Sequence, residues 1–318
     1  MSTYLITGGS GSLGTALTHH LLAKYHKVRT LSRNEHSRET LEKAVAPEFR
    51  KNLSCLTGDI RDLERVRLAM DGVDYVINAA ALKIVPVAES DPNEAILTNI
   101  VGAMNVARAV VDTQSVERAI FIGTDKQIEA TTLYGATKLC GMRSWLASNR
   151  YSPLRKPFVG VLYGNVMGSN GSILHIFRKQ AESGLIKITN FASTRFHMRM
   201  RDAVNLVLDA LHKSKSGELW VPKLKTYRVV DFAAVVAPGM KQEEIGLRPN
   251  EKVHETMVGQ NESIYAIDQG NHFVLTPGVI QGKGGWTYHS GMPELQMNRE
   301  QIKQEIVDYD AENGLCNR

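Results

Sequence analysis

The 318-residue chain is 43% hydrophobic and 22% charged, which supplies a substantial core and excludes a disordered polymer. Its net charge of +5 is spread along the sequence without a basic stripe, which argues against nucleic acid as a partner and suits small anionic ligands. No run of ~18 apolar residues marks a bilayer span. The opening MSTYLITGGSGSLG lacks a basic region followed by an apolar core, so a cytoplasmic protein without a membrane partner is expected. Cys55, Cys140 and Cys316 are scattered and form no CxxC pair, so neither a disulfide framework nor a zinc site is indicated.

In chain order, YLIT (4–7), VRTLS (28–32), LSCLTG (53–58), DYVINAA (74–80), AIFIG (119–123) and FVGVLYG (158–164) have the composition of strands. Stretches such as LGTALTHHLLAKY and AILTNIVGAMNVARAVVD lie between them, with apolar residues three and four apart, as in helices. This alternation predicts an α/β fold over residues 1–164: a Rossmann-type, doubly wound parallel sheet covered by helices on both faces. Beyond Gly164 the pattern loosens. RDAVNLVLDALHKS is a clear helix, GELWVP, SIYAID and HFVLTP are short strands, and QMNREQIKQEIVDYDAENG is a terminal helix. Residues 165–318 are expected to form mainly a smaller, interleaved C-terminal substrate-binding lobe, with 197–222 packing back on the first domain.

Between the first strand and first helix stands Thr7-Gly8-Gly9-Ser10-Gly11-Ser12-Leu13-Gly14. Glycines at 8, 11 and 14 let the backbone approach a pyrophosphate, which the helix N-terminus stabilises with free N–H groups. A Walker A reading fails, because Gly14 is followed by Thr15 and Ala16 and no Lys is available for the phosphates. The second strand ends in Ser32-Arg33-Asn34 rather than a carboxylate, which favours NADP over NAD: Arg33 and a hydroxyl suit a 2′-phosphate. Asp59 and Ile60 follow the third strand, where they meet the adenine edge. Ala79 and Ala80 follow the fourth and let a dinucleotide lie close.

Tyr134 and Lys138 share one helical face just after the fifth strand, at the ligand-binding edge of such a sheet. A phenol is a poor base at neutral pH, and a nearby ammonium favours its phenolate. Tyr134 would take the proton of a carbinol during hydride transfer, Lys138 would hold the nicotinamide ribose, and Thr124 would hydrogen-bond the same oxygen. His254-Glu255-Thr256-Met257-Val258 begins like a zinc protease motif, but Val stands where the second His is required, so no metal is expected.

The TGGxGxxG opening with Tyr-xxx-Lys resembles the extended short-chain dehydrogenase/reductases. More narrowly, Thr124-Asp125-Lys126 with Leu133-Tyr134-Gly135-Ala136-Thr137-Lys138 resembles the inverting UDP-N-acetylglucosamine 4,6-dehydratases. AAALKIVPVAE (79–89), YGNVMGSNGS (163–172), TRF (194–196), GELWVPK (217–223) and GLRPNEKVHE (246–255) extend the likeness over nearly the whole chain. The resemblance implies oxidation at C4 of a bound UDP-sugar, elimination of water across C5 and C6, return of the hydride to C6 and reprotonation at C5. It implies Tyr134 for the first step, Asp125 as acid for the departing hydroxyl and Lys126 as C5 base. Elimination needs one group that takes a proton and one that gives it. A Lys at 126, where retaining enzymes carry Glu, marks inversion.

The resemblance also places Lys83 near the sugar or nicotinamide, Val166 at the cofactor and Asn165 near the diphosphate. It makes Ser169, Asn170, Gly171 and Ser172 a loop over the nucleotide. Arg195 and Arg248 suit phosphate and Glu251 suits ribose hydroxyls, although for each Arg a structural ion pair stays open. Dimers or larger homo-oligomers are implied. The chain departs from the family at Gly123, usually Ser; at Ala130 and Thr132, usually Pro and Asn; and at 196–199, usually more apolar. These positions are expected to touch the loop over the sugar. A nucleotide-sugar epimerase or reductase would share the fold and the Tyr-Lys pair, and a non-catalytic NADP sensor would share the cofactor loop.

Overall fold

Residues 1–152 and 156–315 are described in the computed structural model of the chain, and Cys316 lies outside them. Six strands stand where the sequence predicts them: β1 (Thr3–Thr7), β2 (Lys27–Ser32), β3 (Leu53–Thr57), β4 (Tyr75–Asn78), β5 (Arg118–Ile122) and β6 (Phe158–Val161). They pair in parallel in the order β3-β2-β1-β4-β5-β6, the Rossmann arrangement, whose crevice opens between β1 and β4.

Both faces of this sheet are covered, and alternate side chains serve different cores. Leu5, Val76, Ala119 and Phe121 pack on one side with Met142 and Trp145 of the helix Leu133–Ala147. Tyr4, Ile6, Ile77, Ile120 and Ile122 pack on the other with Leu17 and Leu21 of the helix Ser12–Ala23. Two buried faces explain why the strands are apolar throughout rather than alternating.

The later strands are β7 (Asn165–Val166), β8 (Leu185–Ile188), β9 (Thr194–Met198), β10 (Leu219–Pro222), β11 (Thr226–Arg228), β12 (Lys241–Glu244), β13 (Thr256–Val258), β14 (Ala266–Asp268), β15 (His272–Leu275) and β16 (Tyr288–His289). The helix Met200–Lys213 contributes Val204 and Val207 to the second core, and β10 pairs in parallel with β6. Residues 266–275, read from sequence as part of the lobe, add β15 and β14 antiparallel to that edge, giving nine strands. A separate core forms the lobe proper, from Leu174, Phe177, Ile186, Tyr227, Phe232, Ile302 and Ile306. The later segments also form the small sheet β11-β9-β7 and the pairs β8–β12 and β13–β16, the last of which packs Met257, Val258 and Tyr288 into the main core.

Within the 21-residue helical run Pro92–Asp112, an 18-residue stretch of mean hydropathy 1.3 is long and apolar enough to cross a bilayer. Half of that stretch is buried, with Val106, Ala107 and Val110 in the main core. The run passes through a π turn at Leu97–Val101, which widens the helix beside the site.

Candidate active site

The glycine loop has the shape its spacing predicts. Gly8 has φ +67°, and a Cβ there would sit 2.8 Å from Ala80 Cα, so the turn and the close approach to the end of β4 both require glycine. The helix Ser12–Ala23 starts without a side-chain cap, which leaves its first N–H groups free for an anion. Ser10, Ser12, Thr15 and Ala16 line the cavity here, and Ser10 N–H donates to Ser32 Oγ at 3.1 Å, tying the loop to the end of β2. These residues fit a dinucleotide diphosphate.

Around the expected adenosine end, Arg33 is 47% exposed and lies 3.6 Å from Asp59 and 3.9 Å from Glu94. Arg61 takes the same two carboxylates more closely, at 2.6 and 2.7 Å, so Arg33 keeps donors to spare. Ile60 is buried beneath Gly102. Asn34 Oδ1 accepts from Ser37 N–H and caps the helix Glu35–Ala44.

Over the crevice, Asn170 N–H donates to Ser12 Oγ at 2.9 Å and Lys83 Nζ donates to Asn170 O at 2.9 Å. The segment Gly168–Gly171, with positive φ at both glycines, therefore straps the glycine loop to the segment after β4. Burial pulls the Lys83 amine below its ordinary pKa. Val166 is buried, and Asn165 Oδ1 and Ser172 Oγ are buried atoms without a hydrogen-bond partner. The segment after β4 is itself held by Asn99 in the π turn, which bonds both Leu82 backbone groups and Thr137 Oγ1. No local sequence signal marks Asn99.

Tyr134, Lys138, Thr124 and Asp125 are all buried at the carboxyl end of β5. Thr124 caps a single turn of 3-10 helix, Asp125–Gln127, and its hydroxyl donates to Asp125 Oδ1 at 3.0 Å. That turn lies against the start of the helix Leu133–Ala147 because position 135 is Gly: a Cβ there would collide with Lys126 O. Gly123 has a similar cause. A Cβ would sit 2.8 Å from Val161 O and Gln127 Oε1, so the family's usual Ser is replaced to allow close packing.

Lys138 Nζ donates to Ile122 O at 2.6 Å and sits 4.1 Å over the Phe121 ring. Burial brings its pKa down to about 7. Burial pushes the Tyr134 phenol up, outweighing Lys126 and the Thr124 side chain. Lys126 departs from the neutral base expected of it. Burial favours its neutral amine, but Asp125 at 3.1 Å and Glu255 at 3.0 Å outweigh that and hold it as an ammonium. Burial raises the Asp125 carboxyl above its ordinary pKa, and Asp125 Oδ2 has no partner.

Glu255 is the residue sequence reasoning passed over. Read only as part of a failed zinc motif, it is buried and reaches Lys126 from the loop before β13. Among the described residues no cluster of three or more His, Cys, Asp or Glu forms. Arg195 Nη2 pairs with Glu251 Oε1 at 3.0 Å, and its Nε lies 3.9 Å from Glu255. Glu251 Oε2 accepts from Arg248 N–H at 3.2 Å, while the Arg248 side chain is exposed.

Both segments that hold the departures are tied to later parts of the chain, and Thr132 Oγ1 accepts from Gly135 N–H to cap the helix Leu133–Ala147. Residues 128–131 are stitched to the lobe: Lys252 Nζ donates to Ile128 O, Thr256 Oγ1 to Glu129 and Thr131 Oγ1 to Asn250 O. Phe196 is core, His197 and Arg199 both bind Glu305 of the terminal helix Arg299–Glu312, and Arg199 also lines a cavity shared with Ser10, Gly168 and Asn170.

Residues 4–277 match a family described as polysaccharide biosynthesis protein. The chain belongs to this family. Among its relatives, a UDP-N-acetylglucosamine 4,6-dehydratase (inverting) of Campylobacter jejuni is 37% identical, over 86% of this chain and 83% of that one. A UDP-glucose 4-epimerase of Rickettsia canadensis is 34% identical, over 85% and 82%. The X-ray structure of Pen from Bacillus thuringiensis superposes with a TM-score of 0.90 at 31% identity, covering 96% of this chain and 97% of that chain.

Proposed function

We propose that this member of the polysaccharide biosynthesis family is an NADP-dependent nucleotide-sugar 4,6-dehydratase that acts on UDP-N-acetylglucosamine and inverts C5. The observation that carries the reading is the ion pair of the half-buried Lys126 with the buried Asp125, packed through Gly135 against the Tyr134 helix. Simple hydride transfer needs Tyr134 and Lys138, and elimination needs a further acid and base.

When bound, the nicotinamide accepts hydride from C4 and returns it at C6. Gly8, Ser10, Gly11, Ser12, Leu13 and Gly14 would hold its diphosphate, Arg33 and Ser32 the 2′-phosphate, and Lys138 its ribose. Tyr134, with Thr124 beside it, takes the C4 hydroxyl proton. The 4-ketone acidifies C5–H; Lys126, once it has lost its own proton, removes it. Burial raises the Asp125 carboxyl above its ordinary pKa, so once it has taken up a proton it would pass that proton to the departing 6-hydroxyl. Asn165, the loop 169–172, Arg195, Arg248 and Glu251 would receive the UDP moiety. The product is a UDP-4-keto-6-deoxy-N-acetylhexosamine of L-arabino configuration. A homo-oligomer is part of the proposal, supported by an exposed apolar face at Ile84, Val87, Ile96, Leu97, Val101 and Met104.

The epimerase reading has one observation in its favour, the 34% identity to a named epimerase. The product of purified protein and UDP-N-acetylglucosamine separates the two: loss of one water supports the dehydratase, and an unchanged mass with altered C4 configuration replaces it by the epimerase.

A further inference from the structure

Glu255 lies in the lobe, yet its carboxylate ends in the Rossmann domain's catalytic turn. Its position is set by three segments. Glu255 N–H donates to Ser290 Oγ at 2.9 Å, and its carbonyl accepts from Ser290 N–H at 2.8 Å. Ser290 Oγ in turn bonds Thr194 Oγ1, 2.8 Å away at the start of β9. With its backbone clamped, Glu255 places Oε1 3.0 Å from Lys126 Nζ, while Oε2 is buried without a partner. Lys126 is a long side chain, 26% exposed, and the two carboxylates that grip it come from different parts of the chain.

We propose that Glu255 is a positioning residue of the elimination site, which fixes the Lys126 amine between two carboxylates and sets the pH at which it becomes a base. The inference rests on Asp125 and Lys126 being the elimination pair. Besides Asp125 and Glu255, the groups that face this amine or its partners are Arg195 from β9, Lys252 from the preceding loop, Tyr134 from the helix above and Tyr227 from β11. Arg195 and Lys252 are cations, so among the described residues Glu255 is the one carboxylate that the lobe sets directly on the amine. Burial and Arg195 favour the neutral amine, and Glu255 opposes them together with Asp125. Removing the Glu255 charge takes away one of two opposite charges within hydrogen-bonding distance, which lowers the pH of deprotonation by ~1–3 units.

Competitive acetylation with acetic anhydride, read at Lys126 by peptide mass spectrometry across pH, reports that deprotonation without catalysis. In Glu255→Gln the reactivity of Lys126 should rise at a pH lower by ~1–3 units than in the parent. In parallel, enzyme-catalysed deuterium exchange at C5 of the 4-keto product should level off at a lower pH, whatever its absolute rate. Glu255→Asp, which draws the charge back by one methylene, should shift both in the same direction by less, and carries the test should the Gln variant not fold. Unmoved labelling and exchange profiles in these variants overturn the role of Glu255. Lys126→Ala separates the two readings: if it retains C5 exchange, the elimination assignment itself falls, and if exchange is lost while the Glu255 profiles stay put, only the role of Glu255 falls.

Discussion

Glu305→Gln tests whether the unusual sequence at 196–199 is an anchor for the terminal helix. Glu305 bonds Arg199 at 2.5 and 2.8 Å and His197 Nε2 at 2.9 Å. The hydrogen bond from His197 is the largest cause of its low pKa, about 2 against an ordinary 4.5, and Arg199 adds to it. A carboxyl depressed in the folded state contributes stability above its unfolded pKa and loses it as pH falls through its folded one. Linkage caps the contribution at ~3 kcal/mol at neutral pH. The Arg199 and Glu305 side chains are 21% and 22% exposed, so screening reduces this to ~1–2 kcal/mol. Urea unfolding of the parent and Glu305→Gln should differ by that amount at pH 7. Less than about half of the difference should remain at pH 3, inside the window between 4.5 and about 2. Equal midpoints at pH 7, or a difference that does not shrink at pH 3, would refute the anchoring role.

Gly135→Ala should lower stability by ~1–3 kcal/mol, since its Cβ meets the Lys126 backbone and not a flexible side chain; a thermal melt unchanged from the parent contradicts the close packing. Tyr134→Phe should cut C4 oxidation by at least ~100-fold in single-turnover assays while cofactor titration is unaltered; a rate within tenfold of the parent removes Tyr134 as the proton acceptor. Arg33→Ala should weaken NADP by ~10-fold or more and leave NAD nearly untouched, read by equilibrium binding of each; equal losses for both would mean that Arg33 does not hold a 2′-phosphate.

What could be read from the sequence follows from the range of the interactions involved. Strands β1 to β6 and the glycine loop are set by apolar runs and backbone freedom, both local properties, and they stand where the sequence put them. Tyr134 and Lys138 are one helical turn apart, so their spacing alone gives a shared face. Glu255 escaped because its partner, Lys126, is distant in the chain and its nearest neighbours suggested a metal motif. The protonation of Lys126 is hidden for the same reason, since the second carboxylate that holds its proton is far away in the chain. Asn34 also caps the next helix through Oδ1, a role fixed by residues three apart in the chain. Residues 266–275 look like lobe strands in isolation, and only the free edge of β10 draws them into the main sheet.

The most direct test of the function is NMR of the product formed from UDP-N-acetylglucosamine by purified protein in deuterium oxide. The account predicts a dehydrated 4-keto-6-deoxy sugar that carries deuterium at C5 in the L-arabino configuration. A dehydrated product that keeps the original C5 configuration, or a sugar that has lost no water, contradicts it.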